Sequence, residues 1–114
     1  KAPVVGGQYE EDKDLLTRLG VIEADENNQI IGFEEKPRDP KGNIKSLGVY
    51  FYPKHIVSVL KQYLEEGNKP DAPGYFLSYL YQKEPVYVFS FEGCWFDVGT
   101  HEALAEVKEL YKNR

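Results

Sequence analysis

The sequence predicts an α/β fold. Three observations carry the prediction. Beyond residue 46, strand-like runs alternate with stretches whose apolar residues recur at three and four, the order that layers helices on a sheet. Two short apolar runs around Asp25-Glu26-Asn27-Asn28 form a hairpin pattern, because Asn and Asp tolerate left-handed backbone and bond locally. Leu47-Gly48-Val49-Tyr50-Phe51-Tyr52 is apolar and aromatic throughout, which suits a strand covered on both faces.

Taken in order, Val4-Val5 is a short strand ending in a turn at Gly6-Gly7. Residues 9–18 are charged and read as a loop or one helical turn. Val21-Ile22-Glu23-Ala24 and Ile30-Ile31-Gly32-Phe33 are the hairpin strands. Pro37, Pro40 and Gly42 make residues 37–45 a loop. Pro53 stops the aromatic strand and suits a first helical turn. Ile56, Val59, Leu60, Tyr63 and Leu64 then mark an amphipathic helix, closed by Gly67. After a loop over residues 68–73, Phe76, Leu77, Leu80 and Tyr81 mark a second helix. Val86-Tyr87-Val88-Phe89-Ser90-Phe91 is the last strand. Thr100 is an N-cap candidate for a final helix whose buried stripe is Ala103, Leu104, Val107, Leu110 and Tyr111.

With 114 residues the chain is expected to be one unit. A net charge of −5 and no basic stripe argue against nucleic acid as the partner. They leave room for a small phosphorylated ligand, which one or two lysines can hold. Cys94 is the only cysteine, so no internal disulfide forms; a reducing cytoplasm is expected, with Cys94 as a small buried filler. No run approaches the length of a membrane helix. The chain opens Lys1-Ala2-Pro3 with no methionine anywhere, and reads as a piece of a longer polypeptide.

Chemistry concentrates in two places. Gly32-Phe33-Glu34-Glu35-Lys36-Pro37 puts charges at a strand end, where binding residues of α/β proteins collect. A carboxylate there suits sugar hydroxyls and an ammonium suits a phosphate; a solvated surface ion pair is the plainer alternative. Asp97, within Trp95-Phe96-Asp97-Val98-Gly99-Thr100, needs a partner among apolar neighbours. A divalent cation and a helix-cap role both fit. Gly20 and Gly48 lie in strands, where glycine admits a ligand to the backbone or simply makes a bulge. Tyr50 can wall a pocket or pack in the core. His55 and His101 have no nucleophile–base set around them.

Four blocks occur in order: Leu19-Gly20-Val21-Ile22-Glu23, Ile31-Gly32-Phe33-Glu34-Glu35-Lys36-Pro37, Leu47-Gly48-Val49-Tyr50-Phe51-Tyr52 and Trp95-Phe96-Asp97-Val98-Gly99-Thr100. Together they resemble the sugar-1-phosphate nucleotidyltransferases, with glucose-1-phosphate thymidylyltransferases as the nearest type, over about residues 19–112. The resemblance implies the C-terminal portion of a Rossmann-like nucleotidyltransferase domain with a mixed sheet. It implies a reaction in which a sugar-1-phosphate oxygen attacks the α-phosphorus of a nucleoside triphosphate and pyrophosphate leaves, with Mg2+ as cofactor.

By the same resemblance, Gly20 meets the sugar through its backbone, Gly48 adjoins it, and Glu35 binds its hydroxyls. Lys36 holds the sugar phosphate, Tyr50 and Trp95 wall the pocket, and Asp97 is one of two metal aspartates. Lys36 and Asp97 are the expected catalytic residues. The family's glycine-rich triphosphate loop and its other metal aspartate are absent from these residues, and Leu19 stands where many members carry an aromatic. The expected partners are therefore a sugar-1-phosphate and a nucleoside triphosphate, with the nucleotide-binding part lying outside this chain and the isolated chain inactive. Homo-oligomers are common in such a family. The alternative is a nucleotide-sugar-binding regulatory module of the same fold, without catalysis.

Overall fold

A computed structural model describes residues 1–70, 72–93 and 101–112. β1 (Val4–Tyr9) runs straight through Gly6-Gly7, where the sequence predicted a turn. The reason is close packing: a Cβ on Gly7 would lie 2.6 Å from Ile44 Cγ2 and 2.8 Å from Val88 Cγ2. One short helical turn follows, α1 (Lys13–Leu16), with the Asp12 carboxylate accepting from the Asp14 and Leu15 amides.

The predicted hairpin is present as β2 (Gly20–Ala24) and β3 (Ile30–Glu35), paired antiparallel with Gly20 opposite Glu35. Its turn is built by Asp25, whose carboxylate accepts from the Asn27 and Gln29 amides, and by left-handed Asn28. β4 (Ile44–Phe51) begins three residues earlier than the aromatic run suggested, because Ile44 and Lys45 pair with both β1 and β2. β5 (Tyr87–Ser90) lies parallel to β1. The result is one mixed five-stranded sheet, ordered β3-β2-β4-β1-β5.

Two helices cover one face. α2 (Ile56–Glu65) and α3 (Pro73–Leu80) bury Ile56, Tyr63, Phe76, Leu77 and Leu80 against Val5, Ile22, Ile30, Ile44 and Val88. Gly67, at φ +82°, ends α2 in the left-handed conformation that glycine adopts without strain. Pro73 opens α3 at its first position.

Three further expectations are corrected among the described residues. The aromatic run is not covered on both faces: Tyr50 and Tyr52 turn partly inward, while Phe51 is 59% exposed and Val49 is also open. No described residue packs over that outer face closely enough to bury it. The last helix, α4 (His101–Tyr111), has no buried residue: Ala103 and Val107 are half-buried while Leu104, Leu110 and Tyr111 are exposed, so the expected buried stripe is not there. In α2 the buried face is also narrower than the periodicity implied, since Leu60 and Leu64 remain exposed.

Candidate functional site

The end of β3 places Phe33 and Glu35 on the same face, two residues apart, toward α3. Opposite them stand two glycines. A Cβ on Gly20 would lie 2.8 Å from Phe33 Cζ and 3.4 Å from Glu35 Oε2. A Cβ on Gly74, the second residue of α3, would lie 2.8 Å from Glu35 Oε2 and 3.0 Å from Phe33 Cε2. The carboxylate and the ring thus share a slot whose walls exist because two residues lack side chains.

Tyr50 faces the same region. Burial pushes its phenol pKa up; the nearby Ser46 hydroxyl opposes that shift and the Glu35 charge adds to it. Tyr52 stands beside Tyr50, ring centroids 5.7 Å apart, and meets Phe76 of α3 edge-on. The Tyr52 hydroxyl and Ser46 Oγ are buried without a well-formed hydrogen bond. Polar atoms buried in that condition stand ready to bond a ligand or water. Next to this wall a cleft of about 480 Å3 is bordered by Lys1, Val4, Tyr50, Phe51 and Tyr52.

Lys36 follows Glu35 directly and is exposed. Its φ is +49°, a left-handed conformation uncommon for a residue with a side chain, and its amide donates to the Leu19 carbonyl at 3.0 Å. Left-handed backbone ends the strand, so Lys36 leaves the alternation that β3 would otherwise impose. Backbone held in a sparsely populated region is a feature that gathers at ligand sites.

The structure therefore brings Gly20 and Glu35 together, with Lys36 adjoining and Tyr50 near enough for its phenol to feel the Glu35 charge. It treats Gly48 differently. Gly48 has φ +73° and nothing within 4 Å of where its Cβ would be, so its glycine is required by backbone conformation rather than by a close neighbour. It lies where β4 spends three residues, 47–49, against the single Gly6 of β1, the bulge that the sequence reading held open as an alternative. Trp95 and Asp97 lie outside the described residues. Among those described, no group of three or more His, Cys, Asp and Glu fits a metal ion. No described helix is long and apolar enough to cross a membrane.

Sequence reasoning missed Phe33 and Gly74 as site residues. Phe33 was legible as apolar at a strand end. Gly74 was not, since nothing in Ala72-Pro73-Gly74-Tyr75 reports that its second helical position meets Glu35 of β3.

Comparison with known proteins bears on the family and the fold. The family model described as nucleotidyl transferase matches residues 5–114. A glucose-1-phosphate adenylyltransferase of Clostridium acetobutylicum is 35% identical over 104 residues, covering 86% of this chain and 27% of the relative. Among solved structures, a putative glucose-1-phosphate thymidylyltransferase from Bacillus anthracis, crystallised in complex with a sucrose, superimposes with a TM-score of 0.71 at 28% identity. That match covers all of this chain and 45% of the other. The chain thus spans about a quarter of one relative and under half of the other. The mixed sheet accords with the solved neighbour, and the family model spans nearly the whole chain: the chain belongs to the nucleotidyl transferase family, in keeping with its resemblance to the sugar-1-phosphate nucleotidyltransferases.

Proposed function

We propose that this chain is the C-terminal part of a sugar-1-phosphate nucleotidyltransferase and carries the half of the site that holds the sugar phosphate. The convergence of Glu35, Gly20 and Tyr50 carries the reading. Glu35 offers a carboxylate that can accept from two sugar hydroxyls, with charge-assisted bonds stronger than neutral ones. Gly20 makes room for the Phe33 ring and the Glu35 carboxylate, and the Tyr50 phenol forms a polar wall. Lys36, the next residue, supplies an exposed cation that can serve a phosphate on the same sugar.

The names of the two relatives favour glucose 1-phosphate as the sugar. In this reading the chain binds and orients the nucleophile, and the nucleoside triphosphate is gripped mainly by polypeptide outside these residues. Holding two anions in line accounts for much of catalysis in such transfers. Magnesium, when bound, supplies charge neutralisation between them, and Asp97 is the residue of this chain assigned to it. Lys36 and Asp97 are thus the catalytic assignments, Trp95 and Gly48 border the sugar, and a cytoplasmic location follows from soluble phosphorylated substrates.

The test is a pyrophosphate-release assay on the longer polypeptide of which this chain is proposed to be part. Glu35→Gln should raise KM for the sugar phosphate about tenfold, the cost of a charged hydrogen bond, with little change in KM for the triphosphate. Unchanged kinetics toward the sugar phosphate would remove Glu35 from the site.

A further inference from the structure

We infer that Gly74 is a positioning residue for Glu35: the missing side chain on the first turn of α3 is what lets the carboxylate reach its place. The inference rests on the reading of Glu35 as the sugar-binding acid. Glu35 Oε2 stands 2.8 Å from the point a Gly74 Cβ would occupy, closer than real Cβ atoms come to a neighbour. The Phe33 ring stands at 3.0 and 3.1 Å from the same point. Gly74 is buried, and its φ lies outside the left-handed region, so backbone conformation does not demand a glycine.

On helix propensity alone, alanine would be the better residue within α3. Space for the carboxylate is the requirement that glycine meets here. The two neighbours differ in how they can respond to a methyl group. The ring is held between β2 and α3 and must give by a few tenths of an ångström. The carboxylate is the free end of a flexible side chain and swings away. A single methyl at position 74 therefore moves Glu35 out of the slot and leaves the sheet, Tyr50 and Lys36 where they are.

The experiment follows the Glu35 side-chain carboxyl carbon by NMR in the wild-type chain and in Gly74→Ala, and titrates each with glucose 1-phosphate and with inorganic phosphate. Gly74→Ala should shift the Glu35 resonance, weaken glucose 1-phosphate about tenfold and leave inorganic phosphate unchanged, because only the sugar hydroxyls use the carboxylate. In a Glu35→Gln background the same substitution should add no further loss, the signature of one residue acting through another. Should Gly74→Ala fail to fold, Phe33→Leu/Gly74→Ala removes the ring contact and carries the same expectations.

A Glu35 resonance that does not move overturns the inference. So does an equal loss for both ligands, or a full additional loss in the Glu35→Gln background. If the resonance moves while the wild-type chain shows no preference for glucose 1-phosphate over inorganic phosphate, the placement by Gly74 stands and the sugar-binding reading falls.

Discussion

Gly42→Ala tests how the loop that follows Lys36 is pinned to the sheet. A Cβ at position 42 would lie 2.3 Å from the Ile22 carbonyl oxygen and 3.1 Å from the Glu23 amide nitrogen. Both are backbone atoms of a central strand, so the loop has to yield. Reaching ordinary contact takes a displacement of about 1 Å. The loop is anchored on both sides of Gly42. The Lys41 amide donates to Glu34 Oε1 at 3.1 Å, the Asn43 carbonyl accepts from the Glu10 amide at 2.9 Å, and Ile44 is 3% exposed.

Overpacking costs about 1–3 kcal/mol and a lost hydrogen bond about 0.5–1.5, while alanine restricts the unfolded chain and returns about 0.4–1. The net expectation is a loss of about 2 kcal/mol, or about 8 °C in Tm for a chain of this length. Gly67→Ala is the comparison. Its surroundings are open and only its φ of +82° opposes a side chain, so the loss should be about 1 kcal/mol. Urea unfolding followed by circular dichroism measures both. A Gly42→Ala midpoint equal to or above that of Gly67→Ala would refute the pinning.

Three further outcomes follow from the same structure. The Glu10 carboxyl is held below its usual value, chiefly by its hydrogen bond from Lys45 and then by the Asp12 amide; the stability it contributes is present above pH 4.5 and is lost as pH falls through the depressed pKa, so Glu10→Gln should flatten the stability–pH curve there, and an unchanged acid slope counts against the pair. Burial pushes the Tyr52 and Tyr50 phenols up; their contribution is complete below pH 10 and is lost above it, because the unfolded chain ionises first, so ultraviolet titration of the folded chain should leave at least two of the nine tyrosines neutral when the exposed ones have ionised, and a single transition at the usual value would contradict this. Leu77→Ala, at a fully buried position under α3, should cost about 2–5 kcal/mol in urea unfolding, and a loss below 1 kcal/mol would show that α3 is not part of the core.

The elements were legible wherever a local signal set them. The Asp-Asn turn announced the hairpin, and Gly67 announced the end of α2. The Glu35-Lys36-Pro37 cluster was legible because it combines charge with a strand end, and the four ordered blocks placed it in a family. What stayed hidden depended on contacts between distant segments. Gly6-Gly7 has turn composition but sits in a strand, since crowding by Ile44 and Val88 calls for the same residue as a turn does. The exposure of Phe51 and the open stripe of α4 contradict a pattern that speaks only of periodicity; periodicity says which residues share a face and is silent on what lies against that face. Gly74 was hidden for the same reason. Its role comes from the approach of α3 to β3, and no spacing along the chain encodes it.

The central claim is that Gly20, Glu35, Lys36 and Tyr50 form the seat of a sugar phosphate. Amide chemical-shift mapping of the wild-type chain during titration with glucose 1-phosphate tests it most directly. The account predicts saturable shifts at these four residues, with Gly74 and Phe33 following and the exposed face of Phe51 and Phe89 unmoved. Saturable shifts confined to other surfaces, or none up to millimolar ligand, would contradict it.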